Sequence, residues 1–196
     1  MHKTTMGLPG KPALLIIDMQ NDFVKPGGPL PVAGAQDIIP AIADILTIFR
    51  SARLPVFHIL RVHRSSGVDV EITRRETFNN TPFAVEGTRG AAVIQELAPE
   101  SGEFLVKKTR MSAFFNTDLD LMLRRLWIGS LFIAGIQTPN CVRATVFDAM
   151  AYNYHVFLVR DAVAAKSMEI HQANIIDMQN IGIRIVDAKD VRALVR

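Results

Sequence analysis

Residues 13–23 read Ala13-Leu14-Leu15-Ile16-Ile17-Asp18-Met19-Gln20-Asn21-Asp22-Phe23. Five apolar residues without a polar interruption form a strand covered on both faces, because a strand with one wet face would alternate apolar with polar. A carboxylate closes the run. An ionisable group at the end of a central strand rarely stands there without a partner or a task. Asp18 is therefore a candidate site residue; the plainer alternative is a cap or turn, a role that Asp22 would fill equally well.

Runs of the same kind recur at 55–60, 103–107, 131–135, 156–160 and 184–186. Helical spacing separates them: Ile38, Ile42, Ile45, Leu46 and Phe49 share one face, as do Leu119, Leu123 and Leu126. Two more helices are expected over 141–154 and 167–181, the second opened by Ser167. This alternation predicts an α/β fold. With right-handed crossovers it winds into a mainly parallel six-stranded sheet of order 3-2-1-4-5-6, doubly wound with helices on both faces. In that order the loops leaving the first and fourth strands diverge and open a crevice, which brings Asp18 and Cys141 face to face. Residues 61–88 are polar, uneven and long for a connection, and read as a cap or specificity loop.

Across 196 residues, 49% hydrophobic and 21% charged side chains predict one compact domain spanning 1–196. A chain of this size buries roughly 70% of its unfolded surface and needs no staple. Its one cysteine excludes an internal disulfide framework. No apolar run approaches the roughly 20 residues that cross a bilayer, and no charged-then-apolar segment opens the chain, so no membrane partner and a cytoplasmic location are expected. The pI of about 9.2 comes from a net charge of +3 spread along the chain. Lys107, Lys108 and Arg110 with Phe114 and Phe115 form the densest cationic stretch, and a strand ending in a charged loop explains it better than nucleic acid binding.

The cysteine follows the fourth strand, in Gly135-Ile136-Gln137-Thr138-Pro139-Asn140-Cys141. There the partial positive charge of a helix N-terminus favours an anion and draws a thiol below its free pKa of about 8.5. A cysteine packed as a small hydrophobe is the competing reading. Lys108 ends the third run, where an ammonium near both groups would favour thiolate and carboxylate alike; a solvated strand-end lysine would look the same. No Gly-x-Gly-x-x-Gly turn, Walker A loop or Gly-x-Ser-x-Gly elbow occurs, which argues against a nicotinamide cofactor, ATP chemistry and an ordinary serine hydrolase. The histidines at positions 2, 58, 63, 155 and 171 lack zinc spacing. A lone cysteine has no resolving partner for thiol redox chemistry.

Three segments in this order, Ala13 to Phe23, Lys108-Thr109-Arg110-Met111-Ser112-Ala113-Phe114, and Gly135 to Cys141 with Val142-Arg143, resemble the isochorismatase-like cysteine hydrolases. That superfamily includes nicotinamidases, N-carbamoylsarcosine amidohydrolase, ureidoacrylate amidohydrolase and biuret hydrolase. The resemblance runs from about residue 11 to about residue 190. It implies a catalytic triad on Asp18, Lys108 and Cys141, a cis peptide between Ile136 and Gln137, and an oxyanion hole of the Gln137 and Cys141 backbone N–H groups. Lys108 takes the lysine role rather than Lys107, because the family's lysine stands four positions before the serine of a Tyr-Ser-Ala-Phe element, here Ser112. Met111 replaces the tyrosine and removes a hydroxyl from the pocket wall.

Nicotinamidases also carry zinc or iron on an Asp-x-His motif with a further histidine downstream. The matching segment here is Arg61-Val62-His63, so no metal and no cofactor are expected. True isochorismatases cleave a vinyl ether and lack the nucleophilic cysteine. Cys141 therefore favours hydrolysis of a small amide, ureide or carbamoyl compound through a covalent thioester-type intermediate. Vinyl ether hydrolysis and non-catalytic binding of a small molecule on the same fold are the alternatives. Phe23 is either an apolar pocket wall or core, and Arg61 either binds a substrate carboxylate or lies on the surface. Glu71, Glu86 and Thr88 in the cap remain unranked. Relatives form dimers or tetramers, so a homodimer or homotetramer is expected.

Overall fold

The computed structural model describes residues 8–195; His2, the other residues of 1–7 and Arg196 lie outside that range. The strands are β1 (Lys11–Ile17), β2 (Val56–Arg61), β3 (Phe104–Lys108), β4 (Ile128–Ile136), β5 (His155–Ala164) and β6 (Arg184–Val186). They pair in the order 3-2-1-4-5-6, every pair parallel. Central β1 sets Leu14 beside Val56 on one neighbour and Phe132 on the other.

The helices are α1 (Asn21–Val24), α2 (Ile39–Ser51), α3 (Arg75–Asn80), α4 (Leu119–Arg125), α5 (Arg143–Ala151), α6 (Met168–Asn180) and α7 (Ala188–Leu194). Alternation along β1 divides the core between the sheet's two faces. Leu14 and Ile16 pack with Ile42, Ile45, Leu46 and Phe49 of α2 and Val191 of α7. Leu15 and Ile17 pack with Leu119 and Leu123 of α4, Val146 and Ala149 of α5, and Ile175 and Met178 of α6. Ser167 caps α6 by accepting the Ile170 N–H.

Two elements differ from the apolar pattern for visible reasons. β5 runs past its apolar stretch through Arg160 and Asp161, which are solvent-exposed within an irregularity in its pairing with β4. Arg160 there pairs with Asp187 at 2.6 Å, and Asp161 accepts the Ala188 N–H at 2.9 Å, which docks the otherwise unexpected α7. The cap segment is not structureless either. It contains a 3₁₀ turn, Ile72–Arg74, and α3, folded over buried Val70, Phe78, Phe83 and Ala84. Asp22 holds it by accepting the Ala84 N–H at 2.7 Å, so Asp22 fills the structural role and leaves Asp18 free of it. Among the described residues, no helix is long and apolar enough to cross a membrane.

Gly135 lies on β4 at φ +111, and a Cβ there would run into the backbone of Ile17 on β1. Strand separation at the site thus depends on a missing side chain. Gly135→Ala is expected to cost about 3 kcal/mol, from positive-φ strain plus overpacking. Gly102→Ala, at φ +92 with no atom near its would-be Cβ, should cost only about 1 kcal/mol. Urea unfolding of both variants checks this, and equal losses would contradict it.

Candidate active site

β1 ends in a sharp turn. Asp18 adopts φ 54, a left-handed conformation few non-glycine residues take. Its N–H donates to Ile59 O at 2.9 Å, and its carbonyl accepts the Gln20 N–H at 2.8 Å. The carboxylate is buried, and its Oδ2 accepts from Lys108 Nζ at 2.9 Å. Lys108 ends β3, two strands away, and its Nζ also donates to Arg110 O at 3.2 Å. Neighbouring Lys107 points out to Glu86 at 2.7 Å. Strand alternation thus sends one lysine into the site and the other to the surface. Asp18 Oδ1 is buried without a hydrogen-bond partner among the described residues.

Cys141 approaches from the other side of the sheet's switch point. After β4 the Ile136–Gln137 peptide is cis, and Thr138–Val142 wind as a π-helical turn that leads into α5. The cysteine therefore sits in a widened turn and not in the first turn of an α-helix. Thr145 Oγ1 donates to Cys141 O at 2.7 Å and accepts the Ala113 N–H at 3.0 Å, tying the cysteine turn to the loop after β3. Asp18, Gln137, Asn140 and Cys141 line one narrow cleft, with Phe23, Val32 and Ile136 as apolar wall and Arg74 from the cap. Phe23 is both wall and packing residue, since it is also buried against Phe83.

Arg61 is not a surface residue. It ends β2 with 1% of its surface exposed. Nη1 donates to Glu71 Oε1 at 2.7 Å and Thr109 O at 3.3 Å, and Nη2 approaches Cys141 Sγ at 3.7 Å. Gln20 clamps its backbone from both sides, accepting the N–H at 2.9 Å and donating to the carbonyl at 2.8 Å. These partners are what allow a guanidinium to be buried. Of the three cap candidates, only Glu71 reaches the site, through Arg61; Glu86 pairs with Lys107 at the surface, and Thr88 Oγ1 bonds Val85 O at 2.7 Å. Arg74 was not distinguishable in the sequence, since it neither ends an apolar run nor stands in a motif read there, and Asn140 stood inside the Gly135 to Cys141 motif without being singled out.

The segment that would match a zinc or iron motif does not fit a metal. Arg61 offers a fixed positive charge in place of a ligand. His63 is buried edge-on against Phe78 and Phe83, with no hydrogen-bond partner on either ring nitrogen. Among the described residues, no group of three or more His, Cys, Asp or Glu could hold a metal ion.

Burial pushes the Cys141 thiol up from its ordinary value, and the Asp18 carboxylate pushes it further, against the pull of Lys108 and Arg61. This reverses the lowering expected from a helix N-terminus, because desolvation and a nearby like charge outweigh the cations. Burial alone would lower Arg61, yet the sulfur when ionised and the carboxylates of Asp18 and Glu71 leave it raised. Burial lowers His63, and Arg61 lowers it again. Asp18→Asn removes the nearest negative charge, so the pH midpoint for iodoacetamide labelling of Cys141 should fall, while Arg61→Met should raise it. Midpoints unmoved in both variants would contradict this electrostatic picture.

An isochorismatase domain model matches residues 12–190. The crystal structure of an isochorismatase family protein from Desulfovibrio vulgaris subsp. vulgaris str. Hildenborough superposes with a TM-score of 0.91 at 41% identity, covering 95% of this chain and 99% of that one. A protein from Arabidopsis thaliana named "Probable inactive nicotinamidase" is 42% identical over 176 residues, 88% of this chain and 90% of its own length. Maleamate amidohydrolase from Pseudomonas putida is 30% identical over 192 residues, 97% of this chain and 90% of that protein. The domain match and relatives that align over nearly the whole length agree with the doubly wound sheet: the chain belongs to the isochorismatase family of hydrolases.

Proposed function

We propose that the protein hydrolyses a C–N bond of a small linear amide, ureide or carbamoyl compound, with Cys141 as nucleophile and without a metal ion. The observation that carries this reading is one buried charge set around a thiol: Lys108 on Asp18 at 2.9 Å and Arg61 against Cys141 Sγ at 3.7 Å, with Asp18 and Cys141 on one cleft. The maleamate amidohydrolase relative supports the reaction class. The Arabidopsis relative is named an inactive nicotinamidase, which agrees with a substrate other than nicotinamide. Arg61, standing where a metal ligand would be, supports independence from metal.

When a planar carbonyl enters, Asp18 takes the thiol proton and sulfur bonds to the carbon, while the C=O electron pair moves onto oxygen. Lys108 and Arg61 offset the negative charge as it passes between carboxylate and sulfur. The Gln137 and Cys141 amides receive the oxyanion, each contributing roughly 3 kcal/mol in the transition state. Protonated Asp18 then gives its proton to the departing nitrogen, the C–N bond breaks, and an acyl or carbamoyl thioester remains. Asp18 next takes a proton from water, whose oxygen attacks the thioester. The C–S bond breaks, and the thiol recovers its proton.

Cys141→Ala should lower ammonia release from such substrates by at least about 10⁴-fold with an unchanged circular dichroism spectrum. Lys108→Met leaves Asp18 buried and unpaired, so it should lose activity and also about 3–5 kcal/mol of stability. Chelation with 1,10-phenanthroline should change nothing. Turnover that survives in Cys141→Ala, or that vanishes with chelator and returns with zinc, would contradict the proposal.

A further inference from the structure

We infer that Arg74 selects the substrate, by pairing with a carboxylate on the same small molecule whose amide or ureide group meets Cys141. This rests on the hydrolysis proposed above and names its substrate class as anionic amides and ureides. The charges at the back of the cleft are already matched, Lys108 with Asp18 and Arg61 with Glu71. Arg74 is different. It lines the cleft half-buried, and among the described residues its guanidinium makes no salt bridge or hydrogen bond, Glu71 feeling its charge only at longer range.

A guanidinium at the wall of a cleft with no hydrogen bond to the fold keeps its donors available to a ligand. Its planar fork suits a carboxylate, which it can bind through two parallel N–H donors. Around the cleft the cations Lys108, Arg61 and Arg74 face the carboxylates Asp18 and Glu71, and a monoanionic substrate supplies a third negative group where a neutral one does not. Glu71 also links the two ends of the cleft: its side chain pairs with Arg61 at 2.7 Å, and its carbonyl accepts the Arg74 N–H at 2.8 Å, so the backbone that carries Arg74 is tied to the residue beside the sulfur. Phe23 and Val32 offer the hydrocarbon surface for a short linker between the two substrate ends.

The test compares succinamate with succinamide, and N-carbamoylglycine with N-carbamoylglycinamide, on wild type, Arg74→Gln and Arg74→Lys. Wild type should favour each anion in kcat/KM by about 10-fold or more. Arg74→Gln should raise KM for the anions by about 10- to 100-fold with kcat nearly unchanged, the pattern of lost uniform binding. The neutral amides should be unaffected, and Arg74→Lys should recover part of the loss. Calorimetry of both anions on Cys141→Ala, with and without Arg74→Gln, reads the anion site without turnover, and the second change should abolish binding. Equal kinetic losses on anionic and neutral amides, binding that survives in the double variant, or no binding of either anion would overturn the role of Arg74. If both neutral amides are turned over through Cys141 while the anions are refused, hydrolysis stands and the anion site falls. If the anions bind through Arg74 and nothing is hydrolysed, the anion site stands and hydrolysis falls.

Discussion

The ion pair between Lys108 and Asp18, buried at the carboxyl edge of the sheet, is the constraint on which the rest of the site depends. Two charges withdrawn from water are tolerated only while each faces the other, and these two come from strands separated by β2. The sheet order 3-2-1-4-5-6 brings them together. Once paired, they fix a carboxylate beside a thiol that arrives from the opposite side of the switch point. The sheet thus supplies a carboxylate with a permanent counter-charge, and the β4–α5 turn supplies the thiol; in the proposed reaction these are the base and the nucleophile.

The second pair, Arg61 with Glu71, extends the same logic into the cap. A chain with an aspartate at position 61 would place a negative charge behind the sulfur; the guanidinium there places a positive one. The thiol nevertheless rests above its ordinary pKa, since burial and Asp18 together outweigh Lys108 and Arg61. A neutral resting thiol beside a base fits chemistry in which the proton moves only when an electrophile is in place. Resting thiolate would instead leave two like charges, Asp18 and sulfur, side by side in a poorly hydrated cleft.

Much of this was legible in the sequence, for physical reasons. Ala13 to Ile17 announced a doubly covered strand because no polar residue interrupts it, and Asp18 and Cys141 stood out because they end or follow such runs. Strand order followed from the alternation of strands with helices. The cap was opaque: Val70, Phe78 and Phe83 anchor it, but they follow neither a helical nor a strand period. Arg74 and the link from Glu71 through Arg61 to the sulfur depend on that tertiary packing. Arg61 looked like a surface residue because sequence shows a charge without its partner. The direction of the thiol's pKa was misjudged for a related reason, since desolvation has no signature in local sequence.

Hydroxylamine partitioning tests the covalent role of Cys141 most directly. An amide and an ester of the same acid are hydrolysed in the presence of hydroxylamine, and the ratio of hydroxamate to free acid is measured for each. A common thioester on Cys141 predicts one ratio for both substrates at every hydroxylamine concentration. Ratios that differ with the leaving group, or acid formed without any hydroxamate at saturating hydroxylamine, would mean that water attacks the substrate directly and that the sulfur is not the nucleophile.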